Sequence, residues 1–225
     1  RVDDDGEEEQ EPDLLTPQVP LILDFFEAAG IAIVGMDDYE ADDVIATFAT
    51  REKGPIRIAT GDRDLFQLVD EVRDVKVAYL AKGISNHDLV NQSWIEKKYE
   101  IPGERYALFA MIRGDASDGL PGIKGIGEKG AAEIAKNYSS MAELLEAAKA
   151  DDPKLSANHR KKILSDLDYA SVADRLVQCA RDVNLPEIDL TIPNSAKNAK
   201  YLETMKSDYG LGASVDRLLS AFNWS

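Results

Sequence analysis

The sequence predicts an α/β domain built on a parallel sheet and, after it, a helical domain, with the change of pattern near residue 110. Two observations carry this. Up to about residue 100, short apolar runs alternate with stretches of helical periodicity, the arrangement that gives βαβ units and a parallel sheet. From Pro102 onward helical patterns dominate, and the only strand signals are weak ones around residues 188–192.

Thr16-Pro17 reads as a helix start, a capping residue followed by Pro at the first helical position. Val19, Ile22, Leu23 and Phe26 then share one face at helical spacing, and Gly30 closes the helix. Residues 31–35 form a short apolar run that reads as a buried strand. Residues 42–51 read as a helix with Val44, Ile45 and Phe48 inward. Residues 56–60 read as a strand ending at Gly61, residues 65–68 as a short helix, and residues 75–80 as a third strand. In the second half, Ser140 and Glu143 have the spacing of a capping box. Residues 154–162 are the most basic stretch, and Lys197, Lys200 and Lys206 dot a later one. The expected division is an acidic solvated segment at 1–15, an α/β domain at 16–110 and a helical region at 111–225. The first residues lack an initiator Met and read as the tail of something longer.

Composition narrows the function classes. No run of about 18 apolar residues is present, so no membrane span is expected, and no signal peptide is apparent. One cysteine, Cys179, excludes an internal disulfide and fits a reducing cytosol. A net charge of −16 argues against a polyanionic partner, unless the acids gather around divalent cations that invert the local field.

Three acidic stretches bear on that choice. Glu40, Asp42 and Asp43 open a helix, where the macrodipole alone would favour them. Asp62 and Asp64 follow a strand directly; they could cap the next turn, but ligands of parallel sheets also bind beyond the carboxyl ends of strands. Asp115 and Asp118 lie in a Gly-rich loop after a helix. Seven carboxylates converging without a counter-ion would repel strongly. Oxygen donors with no paired His or Cys point to Mg²⁺ or Mn²⁺ rather than zinc, and two such ions suit phosphodiester cleavage.

The glycine-rich run 119–129 leads into a further helix. Gly122, Gly125 and Gly127, interleaved with Ile123, Lys124, Ile126 and Lys129, read as a hairpin that frees backbone N–H groups at a helix N-terminus. Such a turn binds phosphate without reading bases. Arg160, Lys161 and Lys162 are expected to add grip on a duplex. The competing reading is a tight helical hairpin in which Gly serves only positive φ. His87, His159 and Cys179 have no partner motif and read as structural.

The motifs EADDVIA at 40–46, ATGDRDL at 59–65 and GDASDGLPGIKGIG at 114–127, in this order, resemble the bacterial 5′-nucleases, which include the 5′-to-3′ exonuclease domain of DNA polymerase I and free-standing flap endonucleases. The similarity spans about residues 14–222. It implies a PIN-like α/β nuclease core followed by a helix-hairpin-helix element of the helix-three-turn-helix type. It implies Mg²⁺ or Mn²⁺, a K⁺ at the hairpin, and DNA with a 5′ flap, nick or single-strand/duplex junction as substrate. A monomer in the bacterial cytoplasm is expected. By the same resemblance Glu40 and Asp42 belong to a first metal site, Asp62, Asp64, Asp115 and Asp118 to a second, and Asp43 lies between. The family's opening strand, with an Asp of the first metal site, and a second Asp on a later strand have no counterpart here. Its helical arch is represented at most by the acidic segment before Thr16, and the connection at 51–54 is short. That leaves two further readings, a DNA-junction binding fragment that cuts poorly and, more distantly, a PIN-type ribonuclease.

Overall fold

The computed structural model describes residues 14–116 and 118–224. The acidic opening expected at 1–15 lies outside the described residues except for its last two positions. Contacts divide the chain into two units, residues 36–184 and a second made from the segments up to residue 35 and from 185 onward.

The larger unit holds the sheet. β1 (Ile56–Thr60) and β2 (Val75–Tyr79) pair in parallel, with Ile58 opposite Val77. β3 (Asp88–Val90) adds to β2 antiparallel, with Ala78 opposite Leu89, so the order is β1-β2-β3 and the sheet is mixed rather than parallel throughout. Chain length explains the reversal. Only residues 80–87 separate β2 from β3, too few for the crossover of a dozen or more residues that a parallel partner needs.

Helices precede and follow this sheet in the chain. Before it comes α2 (Ala41–Arg51); after it come α3 (Gln92–Tyr99), α4 (Tyr106–Arg113), α5 (Glu128–Ala135), α6 (Met141–Ala150), α7 (Ala157–Ser165) and α8 (Leu167–Val177). A 3-10 turn, Asp64–Leu68, follows β1 and sends Phe66 into the core. There the Phe66 ring meets Tyr79, Tyr106 and Trp94 at centroid distances of 5.1, 5.2 and 5.6 Å. The α4 helix is apolar nearly all round and is buried accordingly, with Phe109 and Ile112 inaccessible. In this unit, three of the described helices begin at side-chain caps. Asn91, Ser140 and Ser156 accept from the backbone N–H three residues on.

The smaller unit consists of α1 (Val19–Ala29), α9 (Ala199–Asp208) and α10 (Gly212–Ala221), joined through buried Ala28, Leu202 and Val215. Gly30 ends α1 with φ of 80°, as expected of a C-terminal glycine. The face shared by Val19, Ile22, Leu23 and Phe26 stays 37–44% exposed, while the helix is covered along its Ala28–Ala29 edge. Helical spacing identifies an apolar stripe but not what covers it. One expectation fails here: residues 31–35 and 188–192 form no strand. An apolar run encodes a preference for burial, whereas a strand also needs a neighbour for its ladder, and neither segment has one among the described residues. No described helix is long and apolar enough to cross a membrane.

Candidate functional site

The acidic residues singled out in sequence lie on three different elements of the larger unit. Glu40 is the N-cap of α2, with Asp42 and Asp43 in its first turn. Asp62 and Asp64 stand just past the carboxyl end of β1. Asp115 and Asp118 sit in the loop after α4, pinned by reciprocal backbone hydrogen bonds between Asp115 and Leu120 of 2.9 and 2.8 Å.

Folding brings the three stretches into electrostatic contact. The Asp42 carboxyl is pushed up to about 6, first by burial and then by Asp62, Glu40, Asp43 and Asp118. Asp64 is likewise pushed up to about 6, by burial and then by Asp62, Asp118, Asp115 and Asp42. Each therefore feels carboxylates from both of the other stretches. Their charge is uncompensated, the condition a divalent cation would relieve, and the donor set is all oxygen. Among the described residues, however, no three of these groups are already drawn together as the ligands of one ion. The donor chemistry fits Mg²⁺ or Mn²⁺, and closing around an ion would take side-chain rotation.

Several of these acids also have structural partners. The two oxygens of Asp43 accept from the N–H of Ala180 at 2.7 Å and from the N–H of Glu40 at 3.3 Å. Asp62 accepts from the N–H of Asp64 at 2.8 Å, so the turn-capping reading of Asp62 holds as well. Asp115, nearly buried, accepts from the guanidinium groups of Arg63 at 2.5 Å and Arg113 at 3.3 Å. Sequence reasoning missed these two arginines, although Arg63 lies inside the motif at 59–65 and Arg113 directly precedes the one at 114–127, and a lone basic residue among acids was the available signal. It also missed two polar side chains that tie the segment after α8 behind the acids. Thr47 accepts from the N–H of Val183 and donates to the carbonyl of Ala180. Gln67 donates to the carbonyls of Asp64 and Val177 at 2.9 and 3.0 Å and accepts from the N–H of Cys179.

The glycine-rich turn divides into two parts. Gly114 and Gly122 both have positive φ, and a Cβ at Gly122 would stand 2.6 Å from the Arg113 carbonyl. These two glycines let the returning chain cross the end of α4. Gly122 is thus a buried packing residue, not the phosphate contact expected of it. Beyond it, Gly125 has φ of 81°, and Gly127 is the N-cap of α5, facing open space where a Cβ would be. Lys124, Lys129 and Lys161 are exposed beside this turn. The Lys124 N–H is taken by the Asp166 carboxylate at 2.8 Å. Arg160, expected to grip the duplex, donates to the Ala148 carbonyl at 2.8 Å and pairs with Asp151. Lys162 donates to the Gly125 carbonyl at 2.7 Å. An ammonium therefore stands on one carbonyl of the turn at which a K⁺ was expected.

Comparisons agree with this architecture. Residues 6–100 match the family model of the 5′-3′ exonuclease N-terminal resolvase-like domain, and residues 101–200 that of the 5′-3′ exonuclease C-terminal SAM fold. A 5′-3′ exonuclease of Streptomyces coelicolor is 45% identical over 214 residues, covering 94% of this chain and 70% of that protein. One from Mycobacterium tuberculosis is 37% identical over 223 residues, covering 96% and 70%. The thermostable DNA polymerase I of Thermus thermophilus is 36% identical over 182 residues, covering 80% of this chain and 20% of the polymerase. Among solved structures, T5 5′-exonuclease with bound zinc superposes with a TM-score of 0.56 at 12% identity, over 95% of this chain and 73% of that one. The catalytic core of Rad2 with DNA substrate superposes at 0.53 and 16%, over 93% and 71%. Those two likenesses establish the fold, a PIN-like core with a helical SAM-like region. With both family models matched along one chain and relatives this similar over nearly all of it, the protein belongs to the 5′-3′ exonuclease family of nucleases.

Proposed function

We propose that the chain is a structure-specific 5′-nuclease that hydrolyses DNA phosphodiesters at 5′ flaps, nicks and single-strand/duplex junctions, in replication and repair. The observation that carries this reading is the meeting of three acidic stretches beyond the end of β1, with Asp42 and Asp64 both pushed up to about 6. Glu40, Asp42, Asp62, Asp64 and Asp118 are the residues that would hold divalent ions. Mg²⁺ or Mn²⁺ bound there would supply Lewis acidity toward the attacking water and the leaving oxygen. Asp43 sets the first turn of α2 and anchors Ala180, so its contribution to the acid set begins with position. Asp115 keeps Arg63 and Arg113 beside the acids, where their charge meets that of an arriving phosphate.

The duplex is gripped through its backbone by the N-terminus of α5, with Lys124, Lys129, Lys161 and Lys162 around it. The boundary near residue 110 then separates a core bearing the first two acidic stretches from a half bearing the hairpin. A monomer acting in the bacterial cytoplasm completes the proposal.

A second reading, a junction-binding protein that cuts poorly, is favoured by one observation. Asp43 and Asp115 already have other partners. Cleavage of an end-labelled 5′-flap substrate in Mn²⁺, followed beside a gel shift on the same DNA, decides between them. The first reading expects product from the wild type and a drop of about a hundredfold or more for Asp64→Ala with binding retained. Tight binding with no metal-dependent product would replace it by the second.

A further inference from the structure

We infer that Lys162 is the built-in cation of the DNA-gripping hairpin, so that duplex binding by this protein does not depend on which monovalent cation is present. The inference rests on the reading of the hairpin as the duplex grip and adds the identity of its counter-charge.

Three contacts from α7 and its C-cap fix the arrangement. Lys162 Nζ donates to the Gly125 carbonyl at 2.7 Å. Its Cε and Cδ lie 3.4 and 3.7 Å from where a Cβ of Gly125 would stand, so the stem lies along the hairpin glycine instead of reaching into solvent. One turn earlier, the His159 ring rests on Gly130, with Nε2 at 3.0 Å from the corresponding position. At the end of α7, Asp166 takes the Lys124 N–H at 2.8 Å. Both sides of the turn are therefore seated on one short stretch of chain, and Ile163, fully buried, holds that stretch in place.

Position and charge follow. Gly125 lies two residues before the N-cap of α5, whose first N–H groups have no partner within the helix. An ammonium has three donors, and the Gly125 carbonyl uses one. The remaining donors stand at the turn where a backbone phosphate would meet the helix end. A lysine so placed does two jobs at once, holding the carbonyl outward and neutralising the phosphate. A monovalent metal ion could do the same, but the ammonium cannot exchange with the medium.

The test measures binding of a nicked duplex by fluorescence anisotropy in Ca²⁺, at constant ionic strength in K⁺, Na⁺ or tetramethylammonium. Wild-type affinity should be equal in all three. Lys162→Met should bind roughly tenfold more weakly. Its salt dependence should be shallower by about one in the log–log slope, the mark of one lost phosphate contact. A matching thermal melt would show that the variant is folded, and Lys162→Arg should recover most of the affinity. Two results would overturn the inference. One is a wild-type affinity that falls when tetramethylammonium replaces K⁺; the other is a folded Lys162→Met with unchanged affinity and slope. Gly127→Val separates this from failure of the hairpin reading. Its side chain meets open space within the protein, so undiminished binding by that variant would mean the hairpin does not grip DNA at all.

Discussion

Neutralising Asp64 should make the metal-free protein more stable while removing its response to metal. The Asp64 carboxyl is pushed up from the ordinary 3.8 to about 6. A two-unit shift corresponds to about 3 kcal/mol at 1.36 kcal/mol per unit. The group is partly exposed, so solvent screening reduces this to roughly 1 kcal/mol. The sign is that of a raised acid: stabilisation is present in full below about pH 4, where folded and unfolded chains both hold the proton, and is lost as pH rises through about 6. At pH 7.5 the ionised carboxylate is therefore a burden on the folded state, and Asn carries none. No side-chain hydrogen bond of Asp64 is sacrificed, since its partners Asp62 and Gln67 bind its backbone. Asp64→Asn should raise the melting temperature in EDTA at pH 7.5 by about 2–4 °C, and the difference should vanish near pH 4. In Mn²⁺ at a hundred times the dissociation constant, the wild type should gain about 2.7 kcal/mol and the variant far less. Scanning fluorimetry across pH, with and without Mn²⁺, gives all four numbers. A variant less stable than wild type in EDTA, or one retaining the full Mn²⁺ shift, would refute the idea that Asp64 sits in an uncompensated metal cluster.

Two further outcomes come from single residues. Gly122→Ala places a Cβ about 2.6 Å from the Arg113 carbonyl at φ of 65°. It should cost more than about 3 kcal/mol, read as a large drop in melting temperature or soluble yield; a near-normal melt would show that the turn can relax. The Cys179 thiol is pushed up to about 12 by burial and then by Asp42, Asp43 and Asp64. Iodoacetamide at pH 8 should leave it unmodified in the folded protein and label it rapidly in urea, as mass spectrometry would show. Labelling of the folded protein at the rate of a free thiol would contradict that environment.

What the sequence made legible follows from the range of each interaction. The acids at 40–43, 62–64 and 115–118 could be read because each is a contiguous string at the edge of a recognisable element. β1 and β2 could be read because their β-branched residues sit between turn signals. β3 was missed, being only Asp88–Val90, too short to show a period. The strand expected at residues 31–35 depended on a ladder partner, which periodicity does not report. Most opaque were side chains whose role is set across the fold. Asp43 meets Ala180 at a separation of 137 residues, and Gln67 meets Val177 at 110. Nothing near Asp43 in sequence distinguishes a carboxylate that fastens a distant loop from one that awaits a metal.

That ambiguity bears on how so acidic a chain can hold DNA. With a net charge of −16, long-range attraction to a polyanion is unavailable, and affinity must come from local arrangement. The fold separates its acids by treatment. Asp115 is neutralised by two arginines, and Asp43 is satisfied by two backbone N–H groups. Asp42 and Asp64 are instead left pressing on one another and on Asp62 and Asp118. Around the hairpin the balance reverses, because Asp166 is consumed by the Lys124 N–H and Lys162 is fixed at Gly125. Glu128, in the first turn of α5, is the acid that remains exposed there. If the proposed sites hold, a phosphate at that helix end would meet helix N–H donors and the fixed ammonium of Lys162, while one near β1 would meet repulsion until a divalent ion is present. Binding and cutting would then be governed by different charges, and metal should control cleavage far more steeply than it controls affinity.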